Sequence, residues 1–221
     1  MNRNAAHLFM LGFQCMNAGR IDIARRAVEG AAMLDTFDAI RRDIDQRLLH
    51  AMRDRHAPMH TPVVVTADAD ARIMVLRDYC PQTRALRFHT DARAPKARLI
   101  GAGAPVGVLF YDKPAKIQLR CRGTGRIEAT GPVADAAWAQ SSRFARRCYL
   151  GEGPGAVAEW PTSGLPPECE GVEPDEAALL PARANFAVLI VTLTTIDWFH
   201  LAHTGHRRAI IEQGEGRWVA P

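Results

Sequence analysis

NFAVLIVTLTTIDWFHLA, residues 185–202, is the run on which the reading of the fold turns. Most of its apolar residues are β-branched or aromatic, and its strongest apolar stretch, Phe186 to Val191, falls far short of the roughly 20 residues a membrane helix needs. It reads as one long strand. Two shorter segments follow it, RRAIIE (207–212) and RWVA (217–220), and they pair as a terminal hairpin.

Upstream, the same texture recurs in shorter pieces. PVVVTA (62–67), RIMVLRDY (72–79), RALRFHT (84–90), VGVLFYD (106–112) and KIQLRCRGTGRIEAT (116–130) are alternating or β-branched, with Asp, Pro and Gly between them. Seven or eight antiparallel strands are predicted, and a barrel is their natural closure because it leaves few unpaired edges. A short helix is predicted from near Ala94 through Ile100 and a longer one over Val133 to Cys148. Pro and Gly crowd residues 151–181, which read as a long surface excursion.

Ahead of the strands, Phe37, Ile40, Ile44, Leu48 and Met52 recur at helical spacing. They predict an amphipathic helix over 35–56, with Asp35 or Thr36 as N-cap and Pro58 as stop. Residues 1–34 read as a helical extension of unknown role, and 35–221 as one domain, its barrel spanning 61–221. The 221 residues carry a formal net charge of +4, but acids and bases interleave, as in RRDIDQR (41–47), which points to local anion sites and away from nucleic acid. No membrane span is read. Cys15, Cys80, Cys121, Cys148 and Cys169 are odd in number and form no CxxC pair, which argues against a disulfide framework and fits a reducing cytoplasm.

Three stretches invite chemistry. In WFHLAHTGHRR (198–208), His200, His203 and His206 stand three apart; Thr204 and Gly205 interrupt any helix, and in an extended chain such neighbours face opposite ways. Metal binding is not expected, while a phosphate-binding turn and a solvated strand end both remain open. Arg72 and Arg77 stand at the ends of the largely apolar RIMVLR, as a charged barrel rim able to hold a phosphate or as gatekeeping charges. In KIQLRCR, Ile117, Leu119 and Cys121 take one face; Gln118, Arg120 and Arg122 take the other, and a Gln can both donate to and accept from a heteroaromatic edge. GAGAPVG (101–107) lacks GxGxxG spacing and leads into a strand, so it reads as a turn.

Taken in order, HTPVVVTADADARIMVLRDY, FHTDARAPKARLI, VGVLFYDKPAKIQLRCRG, DWFHLAHTGHRR and the closing RWVAP resemble the pyridoxamine 5'-phosphate oxidase family. The resemblance covers about residues 35–221. It implies a mainly β fold, an antiparallel split β-barrel of the FMN-binding type, that forms a homodimer with FMN at the subunit interface and acts on a small-molecule substrate. It further implies that Arg72 holds the FMN phosphate and that Ile73, Met74, Val75 and Leu76 offer backbone to the ring. Arg77 stands where the family has Lys. His89 and Thr90 match a Tyr-Thr pair, and Lys96 matches a phosphate-binding Lys, with Pro95 before it in place of Arg. Gln118, Trp198 and Arg208 match flavin contacts, and Ser163 in WPTSG is aligned with a flavin-contacting Ser.

On the substrate side the resemblance implies Arg77, Thr204 and His206, with Arg143, Arg147 and Tyr149 nearby. His206 is the candidate catalytic group, since an ordinary imidazole titrates near neutrality. Thr204 stands where the family has a substrate-binding Arg. That exchange removes a cation that would pair with an anionic substrate, so the resemblance implies hydride transfer between a small substrate and flavin N5 more than oxidation of pyridoxamine 5'-phosphate itself. The alternative is a non-catalytic split barrel holding flavin or haem.

Overall fold

The structure, a computed structural model, describes residues 34–221; apart from Leu34, the predicted N-terminal extension lies outside the described residues. Helix α1 runs over Phe37–Arg53, and of the two candidate caps it is Thr36 that serves, its Oγ1 accepting from Ala39 N at 3.2 Å. Ile40, Ile44 and Leu48 are fully buried from its apolar stripe, and each contributes about 2 kcal/mol by leaving water. The polar flank ties the helix to the sheet: Tyr79 Oη donates to Asp45 at 2.6 Å, and Arg47 Nη1 donates to Asp112 at 2.6 Å.

Nine strands lie among the described residues: β1 Val63–Thr66, β2 Ala71–Ile73, β3 Leu76–Cys80, β4 Ala85–Asp91, β5 Ala104–Asp112, β6 Ile117–Glu128, β7 Phe186–His200, β8 Arg207–Glu212 and β9 Glu215–Val219. All pairings are antiparallel, in the order β2-β1-β5-β6-β7-β4-β3, with β8 added to β7 and β9 to β8. The sheet is curled into a half-barrel around one apolar core, as the split-barrel expectation required.

RIMVLRDY, read as one strand, is two. The break at Met74–Val75 lets β2 pair with β1 while β3 pairs with β4, so the two ends of the sheet are consecutive pieces of one run. Met74 N donates to Pro62 O at 3.0 Å and Leu76 N to His60 O at 2.9 Å across that corner.

One edge of β7 is divided between two partners: β4 takes Phe186 to Thr192, and β8 takes Thr195 to His200. At the division β7 carries a bulge, with Arg122 opposite Thr195 and Gly123 opposite Leu193, and Thr194 Oγ1 donates to Arg122 O at 3.2 Å. The extra residue reverses the alternation of the strand. Leu189, Val191 and Leu193 face the core before it; Ile196 and Trp198 do so after it.

The predicted helix over 133–148 is also divided. Helix α3 (Pro132–Gln140) ends at Ser141, and Ser142 caps the short α4 (Arg143–Arg146), its Oγ accepting from Ala145 N at 3.2 Å. Helix α3 covers the outer face of β7, where Ala134 and Ala137 pack on Phe186, Val188 and Ile190. Helix α2 (Pro95–Ile100) buries Ala97 and Ile100 at the barrel rim. The excursion over 151–181 includes a 3-10 turn, Pro167–Cys169, and a short α-helix, α5 (Glu176–Leu179). No helix among the described residues is long and apolar enough to cross a membrane.

Candidate functional site

Two groups of polar side chains stand out. The first lies at the barrel rim. Arg72 sits opposite Val64 in the β1–β2 ladder and so shares its face. Its Nη1 donates to Thr66 Oγ1 at 2.9 Å, and its Nη2 pairs with the Asp70 carboxylate. Lys96, half-buried in the first turn of α2, feels that guanidinium: burial first and then Arg72 hold its ammonium below the ordinary lysine range, with Asp91 and Asp70 acting the other way. Just before Asp91, Thr90 is buried and its hydroxyl has no partner among the described residues. Arg93 closes a fork on both oxygens of Asp91, at 3.0 and 2.7 Å.

Two cations held close together in a partly desolvated rim are mutually unfavourable, and an unmet buried hydroxyl adds to the cost. A phosphate would answer the first, by charge-assisted bonds from Lys96 and Arg72. The residues present therefore fit the phosphate end of FMN.

Alternation places His89 on the other face of β4 from Thr90. Its ring meets Phe186 edge-on at 5.0 Å, within an aromatic group that includes Trp138 and Tyr149. Burial, then Arg77 and Arg87, push its pKa down to about 3, so the imidazole is neutral, and its Nε2 is a second buried atom without a partner among the described residues. Burial likewise pushes the Tyr149 phenol up to about 12. Arg77 is exposed, and its charge acts on both His89 and Tyr149.

The second group lies on the outer face of β5 to β8. Gln118 stands between Tyr111 and Phe199, and Phe199 in turn stands opposite Arg208. The ring of His206 meets Phe199 edge-on at 5.6 Å. Beside this row, Asp197 is only 7% exposed. It accepts from Arg120 Nη2 at 2.8 Å and from Arg208 through Nε at 3.0 Å and Nη2 at 2.9 Å. The Asp197 carboxylate raises the pKa of Arg208.

The rim group and the outer-face group are built on different faces of the sheet, Arg72 on the face of the buried Val64 and Gln118 on the face of Tyr111 and Phe199. Of the other predicted site residues, Met74 and Leu76 are buried, Val75 is half-buried, and Ile73 is 69% exposed on the outer face, opposite Val63, which in turn stands opposite Leu109. Trp198 is fully buried in the barrel on the opposite side of β7 from Phe199, its register partners being Leu119 and Ala209. Its indole N–H has no partner among the described residues, and the side chain does not share the face of Gln118. His203 and Thr204 are exposed in the turn between β7 and β8, and His200 packs near Trp198 at 6.0 Å. Ser163 sits in the excursion, bonded to Glu170. Arg143 pairs with Glu173 at 2.6 Å, and Arg147 Nη1 donates to the carbonyls of Cys169 and Val172 at 3.0 and 3.1 Å, both within the excursion.

Asp91, Arg93 and Asp197 carried no signal in the sequence, since each takes its place only through a fold-made pairing. Arg120 was placed on the face of Gln118 by alternation, but nothing in the sequence assigned its partner.

Comparison with known proteins bears on the fold and on the family of part of the chain. Residues 45–129 match the family described as pyridoxamine 5'-phosphate oxidase, FMN-binding domain, whose cofactor is FMN. No curated protein gives a significant match. Among solved structures, a pyridoxamine 5'-phosphate oxidase-related, FMN-binding protein from Nostoc punctiforme superposes with a TM-score of 0.61 at 21% identity, over 81% of this chain and 96% of that one. PhzG from Burkholderia lata, solved with tetrahydrophenazine-1-carboxylic acid, gives a TM-score of 0.60 at 13% identity, over 81% of this chain and 91% of its own. At these identities the two likenesses establish the split-barrel fold.

Proposed function

We propose, from the match of residues 45–129 to the FMN-binding domain of pyridoxamine 5'-phosphate oxidase, that the protein is an FMN-dependent oxidoreductase working as a homodimer on a small-molecule substrate. The observation that carries the reading is the rim, where the Lys96 ammonium is held below the ordinary lysine range by burial and by the charge of Arg72. FMN, when bound, supplies the chemistry, exchange of a hydride at ring position N5.

The chain's own residues bind and orient. Lys96 and Arg72 neutralise the phosphate, and Gln118 meets the ring edge with an amide that donates and accepts. Arg208 adds a cation on the Gln118 face, and the neutral His89 keeps charge away from the aromatic wall. His206, exposed on Phe199, meets the substrate and can hold or move its proton. Thr204 offers a neutral hydroxyl there, so the substrate is one that needs no cation at that position.

Rim and outer face occupy different faces of one sheet, and a second copy is the means of bringing them together. The exposed Ile73, Leu109 and Tyr111 on the outer face support such a contact. The free cysteines of the described residues suit a reducing cytoplasm. The test is FMN titration of the purified protein with sedimentation analysis: saturable binding of one FMN per chain by a dimer is expected, and absence of binding overturns the proposal.

A further inference from the structure

Asp197 is a buried carboxylate that the flavin chemistry does not require, set between two cations on the face that carries Gln118. The bulge at Thr194 puts it there: it turns Trp198 inward and Asp197 outward, onto the side where β6 and β8 present Arg120 and Arg208. Arg208 spends both Nε and Nη2 on the two carboxylate oxygens, a fork that fixes the plane of its guanidinium. Arg120, which is 44% exposed, spends only Nη2.

We propose that Asp197 is a positioning residue for the flavin edge: it holds the Arg208 guanidinium in one orientation and offsets one of the two positive charges, of Arg120 and Arg208, that flank it. The inference rests on the FMN reading above. Within this cluster two arginines and one aspartate leave a single surplus positive charge, with Arg122 farther along the same face of β6. Arg120 follows Gln118 by two residues on the same strand face, about 7 Å along β6, close enough for its charge to act on whatever Gln118 bonds. Positive charge beside a flavin ring favours the reduced, more negatively charged form, so the carboxylate holds the midpoint potential below the value two unopposed arginines would give. A carboxylate serving only to pair a sheet surface would leave the potential of a bound flavin untouched.

The experiment measures FMN affinity and midpoint potential in the full-length protein and in Asp197→Asn, Asp197→Glu and Arg120→Gln. Asp197→Asn takes the charge of the cluster of Asp197, Arg120 and Arg208 from one positive unit to two, and the potential becomes more positive. Arg120→Gln takes it to zero and leaves Arg208 its fork, and the potential becomes more negative. Asp197→Glu restores the wild-type direction. Should Asp197→Asn fail to fold, Arg120→Gln at its exposed position still decides the matter. Wild-type protein that binds FMN while Asp197→Asn or Arg120→Gln leaves the potential unchanged overturns the role of Asp197 alone. Wild-type protein that binds no FMN overturns the flavin reading and this one with it.

Discussion

Replacing Lys96 by Met separates a binding residue from a structural one, because the two roles predict opposite signs. In the free protein the Lys96 ammonium is disfavoured on balance: burial and Arg72 act against it more strongly than Asp91 and Asp70 act for it. Methionine keeps the length of the stem and removes the charge, so the free Lys96→Met protein is at least as stable as wild type. The linkage runs the same way. A lysine whose folded pKa lies below the ordinary 10.5 releases its proton first in the folded state, so wild-type stability rises with pH between those two values. The variant lacks that rise.

FMN binding moves in the other direction. A hydrogen bond to a charged group contributes about 1.5–3 kcal/mol, which at 1.4 kcal/mol per decade weakens binding by about 10- to 100-fold. Flavin fluorescence titration at fixed ionic strength gives the affinity, and thermal melts of the flavin-free protein give the stability. An affinity within twofold of wild type, or a variant that melts lower without flavin, refutes the assignment of Lys96 to the phosphate.

Gly123→Ala tests the point where the barrel splits: the added Cβ would lie 2.2 Å from Thr192 O, a backbone atom in the longest ladder of the sheet. A loss of about 1–3 kcal/mol or more is expected, read as a lower denaturant midpoint at unchanged slope, and a midpoint equal to wild type would show that the bulge relaxes freely. His89 makes stability fall on acidification. Its folded pKa of about 3 lies below the ordinary 6.5, so between those values only the unfolded chain takes up the proton. The slope contributed is at most ~1.4 kcal/mol per pH unit, and His89→Phe flattens it in urea melts taken from pH 7 to pH 4; parallel slopes in the two proteins would remove His89 as the cause.

Much of the framework was legible along the chain. The helical spacing from Phe37 to Met52 with Thr36 ahead of it is a local signal, and so are the Pro95 start of α2 and the alternation that set Gln118, Arg120 and Arg122 on one face of β6. Such signals need only the neighbours within one turn or one pleat. The break of the helix at Ser141 was local too, since Ser142 is a cap residue, but an apolar run on both sides hid it.

What the chain by itself determined is therefore the set of elements, their order, and the types of side chain available to a cationic site. Tertiary structure decided which of them meet. Continuous alternation from Leu189 to Leu193 would have carried Asp197 into the core and Trp198 out to the face of Gln118. The single extra residue at Thr194 reverses both, sealing the indole inside the barrel and leaving the carboxylate between Arg120 and Arg208. Residues 72–79 are equally strand-like throughout, so only the closing of the sheet shows that they serve both its edges. Register, bulges and closure are settled by partners distant in the chain, and a local pattern holds no record of them.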